Sequence, residues 1–526
     1  MGRIAPFSWA PRFARLASLL VLVVWAAGCT TLPEKLPRGP AGHAIPPQAG
    51  GALAQLEATL KPRLDVDGSA YKLLDTNEDA LRWRLALVDS AKHSLDMQYY
   101  FWWEDETGQL LMKHVVDAAD RGVKVRLILD DLTTLLEDDR TFKNRDWQNS
   151  MLNAHPNIEL RLFNPSRSRS LPGRGIDFVR RMEVMNQRMH NKMLVADNRA
   201  VILGGRNVGN EYFGFGQDFN FRDLDALGAG PVARQCSIVF DRFWNSEWVV
   251  PVSALNLHAT ARDLRAEKPA ILAQLAGTQV LERFSLKQKD WSTELAEFET
   301  GAHIGPSRVL TDVPAKGGNL RHHMPDAIRK LMANAEQEVL ITNAYVIPDD
   351  DDITVFRELA RRGVKVRILT NSLSSQDVPA VNSHYKRWRK PLLEAGVELY
   401  ETRSDAAIRD RVADTPPAHA AFMGLHVKTF IIDRKEVFIG SMNLDPRSEE
   451  LNSEMGVVVT SAPLAAELAG IMERDIKPEN AWHVTRGPHG GLRWTAGDQV
   501  LRRQPARGLW QRTQDILFML FPRNLY

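Results

Sequence analysis

His190-Asn191-Lys192-Met193-Leu194-Val195-Ala196-Asp197 and His426-Val427-Lys428-Thr429-Phe430-Ile431-Ile432-Asp433 are two copies of one pattern, His-x-Lys-(x)4-Asp, set 236 residues apart. In each copy a short apolar run ends in Asp and polar residues, and a second apolar run follows at 201–203 or 437–439, which predicts a β-hairpin. His and Lys at i and i+2 share one face of a strand. The Asp lies seven residues past the His, an odd number, so on an unbroken strand it faces away. Asp197 and Asp433 belong to the candidate catalytic set as motif members, but this parity gives them a supporting role.

Other landmarks repeat in the same order. Arg-Gly-Val-Lys-Val-Arg at 121–126 recurs at 362–367, and Ile158-Glu159-Leu160 matches Val397-Glu398-Leu399. The chain is a duplication of one lobe. Each copy alternates strand, helix and strand: 95–101, 108–121 and 123–129, then 339–345, 353–362 and 364–369. Short joins make this a βαβ unit with a parallel strand pair. The expected fold is therefore α/β, with two duplicated α/β/α lobes related by a pseudo-twofold axis and sharing one composite active site. The lobes are expected at 52–250 and 321–475. Residues 251–320 read as an insert or inter-lobe connection, and 476–526 as a Trp-rich C-terminal extension.

Arg3, Arg12 and Arg15 precede an apolar run at 16–27 and the sequence Ala26-Ala27-Gly28-Cys29. This reads as an export signal, too short to span a bilayer comfortably, which takes about 20 residues. Small residues directly before a Cys resemble a bacterial lipoprotein signal, 1–29, with Cys29 lipidated; a plain signal peptide or uncleaved anchor is the alternative. Thr30 in place of Asp favours the outer over the inner membrane, facing the periplasm. Residues 30–51, rich in Pro and Gly, predict a tether. Cys236 then has no partner and reads as a small core residue. A formal charge of +2, with 44% apolar and 25% charged residues, describes a globular body without a broad nucleic-acid footprint.

Both motif copies continue to a Gly and an Asn: Gly204-Gly205-Arg206-Asn207 and Gly440-Ser441-Met442-Asn443. The whole pattern is similar to the phospholipase D superfamily motif, His-x-Lys-(x)4-Asp-(x)6-Gly-Ser-x-Asn. The first copy departs at Gly205, so any hydroxyl contact there is missing. The chemistry explains the residue types. A phosphodiester is anionic, and Lys192, Lys428, Asn207 and Asn443 can neutralise it and donate hydrogen bonds as charge shifts. One His attacks phosphorus to form a phosphohistidine; the other protonates the leaving alkoxide and then activates the acceptor. The resemblance implies His190 as nucleophile and His426 as general acid/base, with Ser441 in support. It also implies a carboxylate orienting a catalytic His: Glu454 in the second half, and Asp223 in the first, with Asp225 as the alternative. No His, Cys or carboxylate group has zinc spacing, and neither a metal nor another cofactor is expected.

Further segments resemble bacterial cardiolipin synthases of the C type: 96–100, 188–192, Tyr212-Phe213, 223–225, 385–390 and 443–448, within a similarity covering nearly all of 55–526. Gly205 is also typical of that type. The resemblance implies transfer of a phosphatidyl group to phosphatidylglycerol from a second phospholipid, phosphatidylethanolamine, at a membrane surface and without a nucleic-acid partner. A phospholipase D using water, or an exported nuclease, is the rival reading. The aromatic run 99–103 and the apolar C-terminus 509–521 are candidates for lipid contact, and 385–390 for a helix face within head-group reach.

Overall fold

The computed structural model describes residues 36–64, 67–131, 139–315 and 319–520. The signal-like segment and Cys29 lie outside them. The first lobe's strands are β1 (Gly68–Leu74), β2 (Ser94–Tyr99), β3 (Lys124–Asp130), β4 (Ile158–Phe163), β5 (Met193–Ala196), β6 (Ala200–Gly204) and β7 (Asp225–Ala229). They lie side by side as β4-β3-β2-β5-β6-β7-β1, with β2, β3 and β4 parallel and the other pairs antiparallel. The second lobe has β8 (His303–Thr311), β9 (Glu338–Asn343), β10 (Lys365–Asn371), β11 (Glu398–Thr402), β12 (Lys428–Ile432), β13 (Glu436–Gly440) and β14 (Met455–Thr460). Their order, β11-β10-β9-β12-β13-β14-β8, is the first lobe's order again.

The repeated hexapeptide marks a repeated joint. Helix α1 (Asn77–Ser90) leads into β2, α2 (Glu106–Asp120) joins β2 to β3, and α3 (Asp139–Asn153) joins β3 to β4. Helix α4 (Ala261–Leu275) follows the first lobe, α5 (Asp350–Arg361) joins β9 to β10, and α6 (Leu509–Leu517) lies near the C-terminus. Asp105 and Asp349 start α2 and α5 by accepting the backbone N–H three residues on. Gly122 and Gly363 end them at φ 97° and 78°, the left-handed geometry that glycine adopts without penalty. A buried Val–x–Val strand follows at once in both copies. Every residue of β2 is buried, as a strand covered on both faces requires.

The lobes join edge to edge. β1 pairs antiparallel with β8 from Gly68↔Pro306 to Tyr71↔His303, so one sheet runs through the molecule. One apolar cluster draws on both lobes, including Tyr71, Val201 and Phe240 with Val437, Val457 and Leu468. Cys236 is a buried free thiol in that cluster.

Two expectations need correction. The stretch 251–320 is not one unit, because His303–Thr311 is the first strand of the second sheet, paired with β14 and equivalent to β1. The repeat was hidden because β8 shares no obvious residues with β1. Residues 36–51 do not hang free from the body. Gly42 N–H and Ala44 N–H donate to Asn245 and Asp241, Arg161 donates to the Pro40 carbonyl, and Arg199 to that of Gln48. Their backbone polar groups find partners on the first lobe, and Leu36 packs on its core.

Candidate active site

Each motif histidine is held by the opposite lobe. Arg188–Met189 runs parallel to Asn452–Ser453 with Ser453 beside Met189, and His190 N–H donates to the Ser453 carbonyl at 2.9 Å. Phe422–Leu425 runs parallel to Phe219–Arg222, and His426 N–H donates to the Arg222 carbonyl at 2.8 Å. One step further in each register stands a carboxylate. Glu454 therefore meets His190 Nδ1 at 2.9 Å, and Asp223 meets His426 Nδ1 at 2.6 Å. Strand pairing across the lobe boundary is what delivers each acid to its histidine. The contact fixes Nδ1–H and leaves Nε2 as the free ring nitrogen. Asp225, the alternative, is occupied elsewhere, with Arg84 and Arg206 at 3.0 and 3.2 Å.

The other motif residues gather on the same centre. Lys192 and Lys428 are buried, and each ammonium donates to the carbonyl of its own motif histidine, at 2.6 and 2.5 Å. Asn207 is tied down, accepting from Phe101 N–H and donating to the Tyr212 hydroxyl. Asn443 Oδ1 is buried without a hydrogen-bond partner. Asp197 accepts the backbone N–H groups of Lys92, His93 and Ser94, and Asp433 those of Glu336, Gln337 and Glu338. Both carboxylates fasten the turn that enters the central strand. Both acids, placed in the candidate catalytic set as motif members, here bond to backbone.

Gly205 and Ser441 mark where the halves diverge. A Cβ on Gly205 would lie 2.4 Å from Asp223 Oδ1. In the second lobe Ser441 Oγ donates to Glu454, whose longer side chain leaves room for it. Asp with Gly, and Glu with Ser, are two solutions to one packing problem.

Several residues were missed by sequence. Asp130, ending β3, accepts Met189 N–H at 2.8 Å and Arg188 at 3.1 Å. Asn371, ending β10, accepts Leu425 N–H at 2.9 Å. They occupy equivalent positions in the repeat, and that offset was the available signal. Tyr100 sits edge-on to His190 with ring centroids 5.0 Å apart, and Tyr212 does the same to His426 at 5.4 Å. Of the run 99–103, Tyr99 is buried against Arg84, while Trp103 is 43% exposed. In the run 385–390, Lys386 pairs with Asp515 and Arg389 with Glu401, while Arg387 and Lys390 are exposed. Among the described residues, Asp410, Asp414 and His419 lie close enough to share a cation, but Arg409 already bonds to all three.

Burial shapes the protonation of the centre. It drives His190 well below its ordinary 6.5, helped by Lys192 and Lys428. It takes His426 down to about 4, with Lys428 adding to the effect and Asp223 opposing it. It lowers Lys192 to about 7 and Lys428 to about 8, against the pull of the two carboxylates. It raises Glu454 to about 7. Burial also pushes Asp223 up, but His426, Lys428 and Arg206 outweigh it and hold that carboxyl below its usual range. An anion placed between the lysines would favour the charged forms of the two histidines and the two lysines.

Two buried His-Lys-Asn sets, closed by cross-lobe carboxylates on a duplicated α/β frame, define a phosphoryl-transfer enzyme of the phospholipase D type. The family model described as "Cardiolipin synthase, PLD-like domain" matches residues 85–244 and 328–476. The chain is 35% identical over 457 residues to Cardiolipin synthase C of Escherichia coli K12, covering 85% of this chain and 94% of that one. It is 24% identical over 481 residues to Cardiolipin synthase A of Erwinia tasmaniensis, covering 89% and 78%. Among solved structures, phosphatidylserine synthase of Haemophilus influenzae has the same fold, with a TM-score of 0.56 at 14% identity, covering 89% and 97%. The chain belongs to the phospholipase-D-like cardiolipin synthase family.

Proposed function

We propose that the chain makes cardiolipin by moving a phosphatidyl group through His190. In the first half, His190 Nε2 attacks phosphorus, the bond to the head-group oxygen breaks, and His426 gives its proton to the leaving alkoxide. In the second half, His426 takes the proton of a phosphatidylglycerol hydroxyl. That oxygen bonds to phosphorus, the N–P bond breaks, and His190 is regenerated. The donor is phosphatidylethanolamine, whose head group leaves as ethanolamine. Glu454 and Asp223 hold the two rings and stabilise the imidazolium forms. Lys192, Lys428 and Asn443 bind the non-bridging oxygens.

The observation that carries this reading is the reciprocal pairing of His190 with Glu454 and of His426 with Asp223 in one buried centre. A dry site favours a lipid hydroxyl over water. Attachment to a membrane fits the exposed side of α6, where Leu509, Trp510, Ile516 and Leu517 point outward, while Gln511 and Asp515 anchor the helix to the body. Among the described residues no helix is long and apolar enough to cross a membrane. Lipidation of Cys29 and placement at the outer membrane, facing the periplasm, complete the proposal.

The test is to incubate the purified protein with vesicles of phosphatidylglycerol, with and without labelled phosphatidylethanolamine. Cardiolipin with released ethanolamine is expected. Phosphatidic acid alone would make the enzyme a hydrolase, and cleavage of DNA without lipid turnover would overturn the reading.

A further inference from the structure

A cavity of about 180 Å³ adjoins the candidate centre. Its inner end is formed by Tyr100, whose ring touches His190, and by Asp130, which holds the His190 strand. Its outer wall is α4, in the segment between the lobes. Met112 and Val116 of α2, Leu152 of α3, and Leu264, Ile271 and Leu272 of α4 line the space between. Lys268 fastens α4 over it by reaching Asp117 and Asp120 of α2.

The wall is underpacked. Leu275 is the one fully buried residue of α4, although Leu264, Ile271 and Leu272 face inward. Protein interiors are normally filled to crystal density, and side chains facing a void forfeit their dispersion contacts. Polar side chains such as Gln109, Gln148 and Asn149 also border the space, but most of its lining surface is apolar. A ligand lying along this mostly apolar wall would reach Tyr100 and so the edge of His190. A phosphatidyl group at His190 carries two fatty acyl chains that need somewhere to lie.

We infer that this cavity takes one acyl chain of the phosphatidyl group while that group is held at His190. The inference rests on the phosphatidyl-transfer reading above. It gives α4 a function: the helix is the cover of a one-chain slot. A chain lying there also closes the Tyr100 side of the centre to water during the covalent stage.

Two measurements test it. The first uses the unaltered chain and phosphatidylethanolamine with a diazirine at mid-chain, in vesicles that also hold phosphatidylglycerol. Light should attach the lipid to peptides of α2 and α4, read by mass spectrometry; absence of label from both helices overturns the inference. The second compares turnover of dioleoyl and dihexanoyl phosphatidylethanolamine, with phosphatidylglycerol as acceptor, in Met112→Trp and Ile271→Trp. Filling the slot should lower the long-to-short ratio by about tenfold or more. Label on α4 with an unchanged ratio also overturns the inference, because the chain held there would not be that of the reacting lipid. If the unaltered chain makes no cardiolipin from either lipid, the transfer reading fails, and the labelling still reports on the slot.

Discussion

Replacing Gly205 by Ser would restore the residue usual in the superfamily motif, and the structure expects it to cripple the enzyme. The new Cβ would lie 2.4 Å from Asp223 Oδ1, 2.8 Å from Oδ2 and 3.0 Å from Cγ, where ordinary contact begins at 3.4 Å. Asp223 must retreat by about 1 Å at its nearer oxygen. Its other oxygen holds His426 at 2.6 Å, so the ring loses its partner or turns with it. Misplacement of about 1 Å costs roughly 100-fold in rate, or about 2.7 kcal/mol of barrier. Cardiolipin formation in mixed vesicles reads the loss, and a thermal melt checks that the variant is folded. The double variant Gly205→Ser/Asp223→Glu rebuilds the arrangement of Ser441 with Glu454. Most of the activity should return, as a non-additive cycle. A fully active Gly205→Ser, or a double variant no better than the single one, would refute the reasoning.

Other outcomes follow from the same geometry. His190→Ala and His426→Ala should each lower transfer by at least about 10³-fold, and the pair together should do little more, since they act as a unit; a single variant of normal activity would contradict the composite site. Lys192 and Lys428 have pKa values pushed below that of an ordinary lysine, to about 7 and about 8, so their charge is present at lower pH and lost as pH rises. The alkaline limb of kcat/KM should therefore fall through those values, and that of kcat should lie higher because a bound anion holds the protons; a kcat/KM limb in the ordinary lysine range would remove the lysines from the mechanism. Asp197→Ala leaves three backbone donors near Lys92 unsatisfied and should cost about 3 kcal/mol in urea unfolding, while the folded fraction keeps its activity. Leu509→Asp with Trp510→Asp should weaken vesicle co-sedimentation by roughly tenfold or more and leave dihexanoyl turnover intact; unchanged sedimentation would take α6 away from the membrane.

The sequence was informative where the repeat kept its residues. The hexapeptide, the hairpins and the His-Lys-Asn sets located the parallel strands and the centre, because helix-ending glycines and buried strands tolerate few substitutes. Asp197 and Asp433, to which strand parity gives a supporting role, bond to the backbone N–H groups of a turn. What stayed hidden depends on registers between distant segments. That Glu454 serves His190, and Asp223 serves His426, follows from two short parallel pairings across the lobes. No local pattern reports them. Asp130 and Asn371 differ in type, so their equivalence shows only by counting along the repeat. Residues 36–51 look like a linker by composition, yet proline-rich backbone can be strapped down when side chains such as Arg161 and Asn245 reach out to it.

The joining of β1 to β8 has a mechanical consequence. Two bodies linked by a flexible strand of chain can part like jaws, but a hydrogen-bonded seam reinforced by a shared apolar cluster resists bending along its length. Traffic of bulky lipids therefore has to pass by local yielding at the rim rather than by gaping of the halves. Each half alone would also lack the acid for its own histidine and a neighbour for its edge strand. Severing the chain between the halves should accordingly give fragments that function only on reassociation, much as a split reporter does.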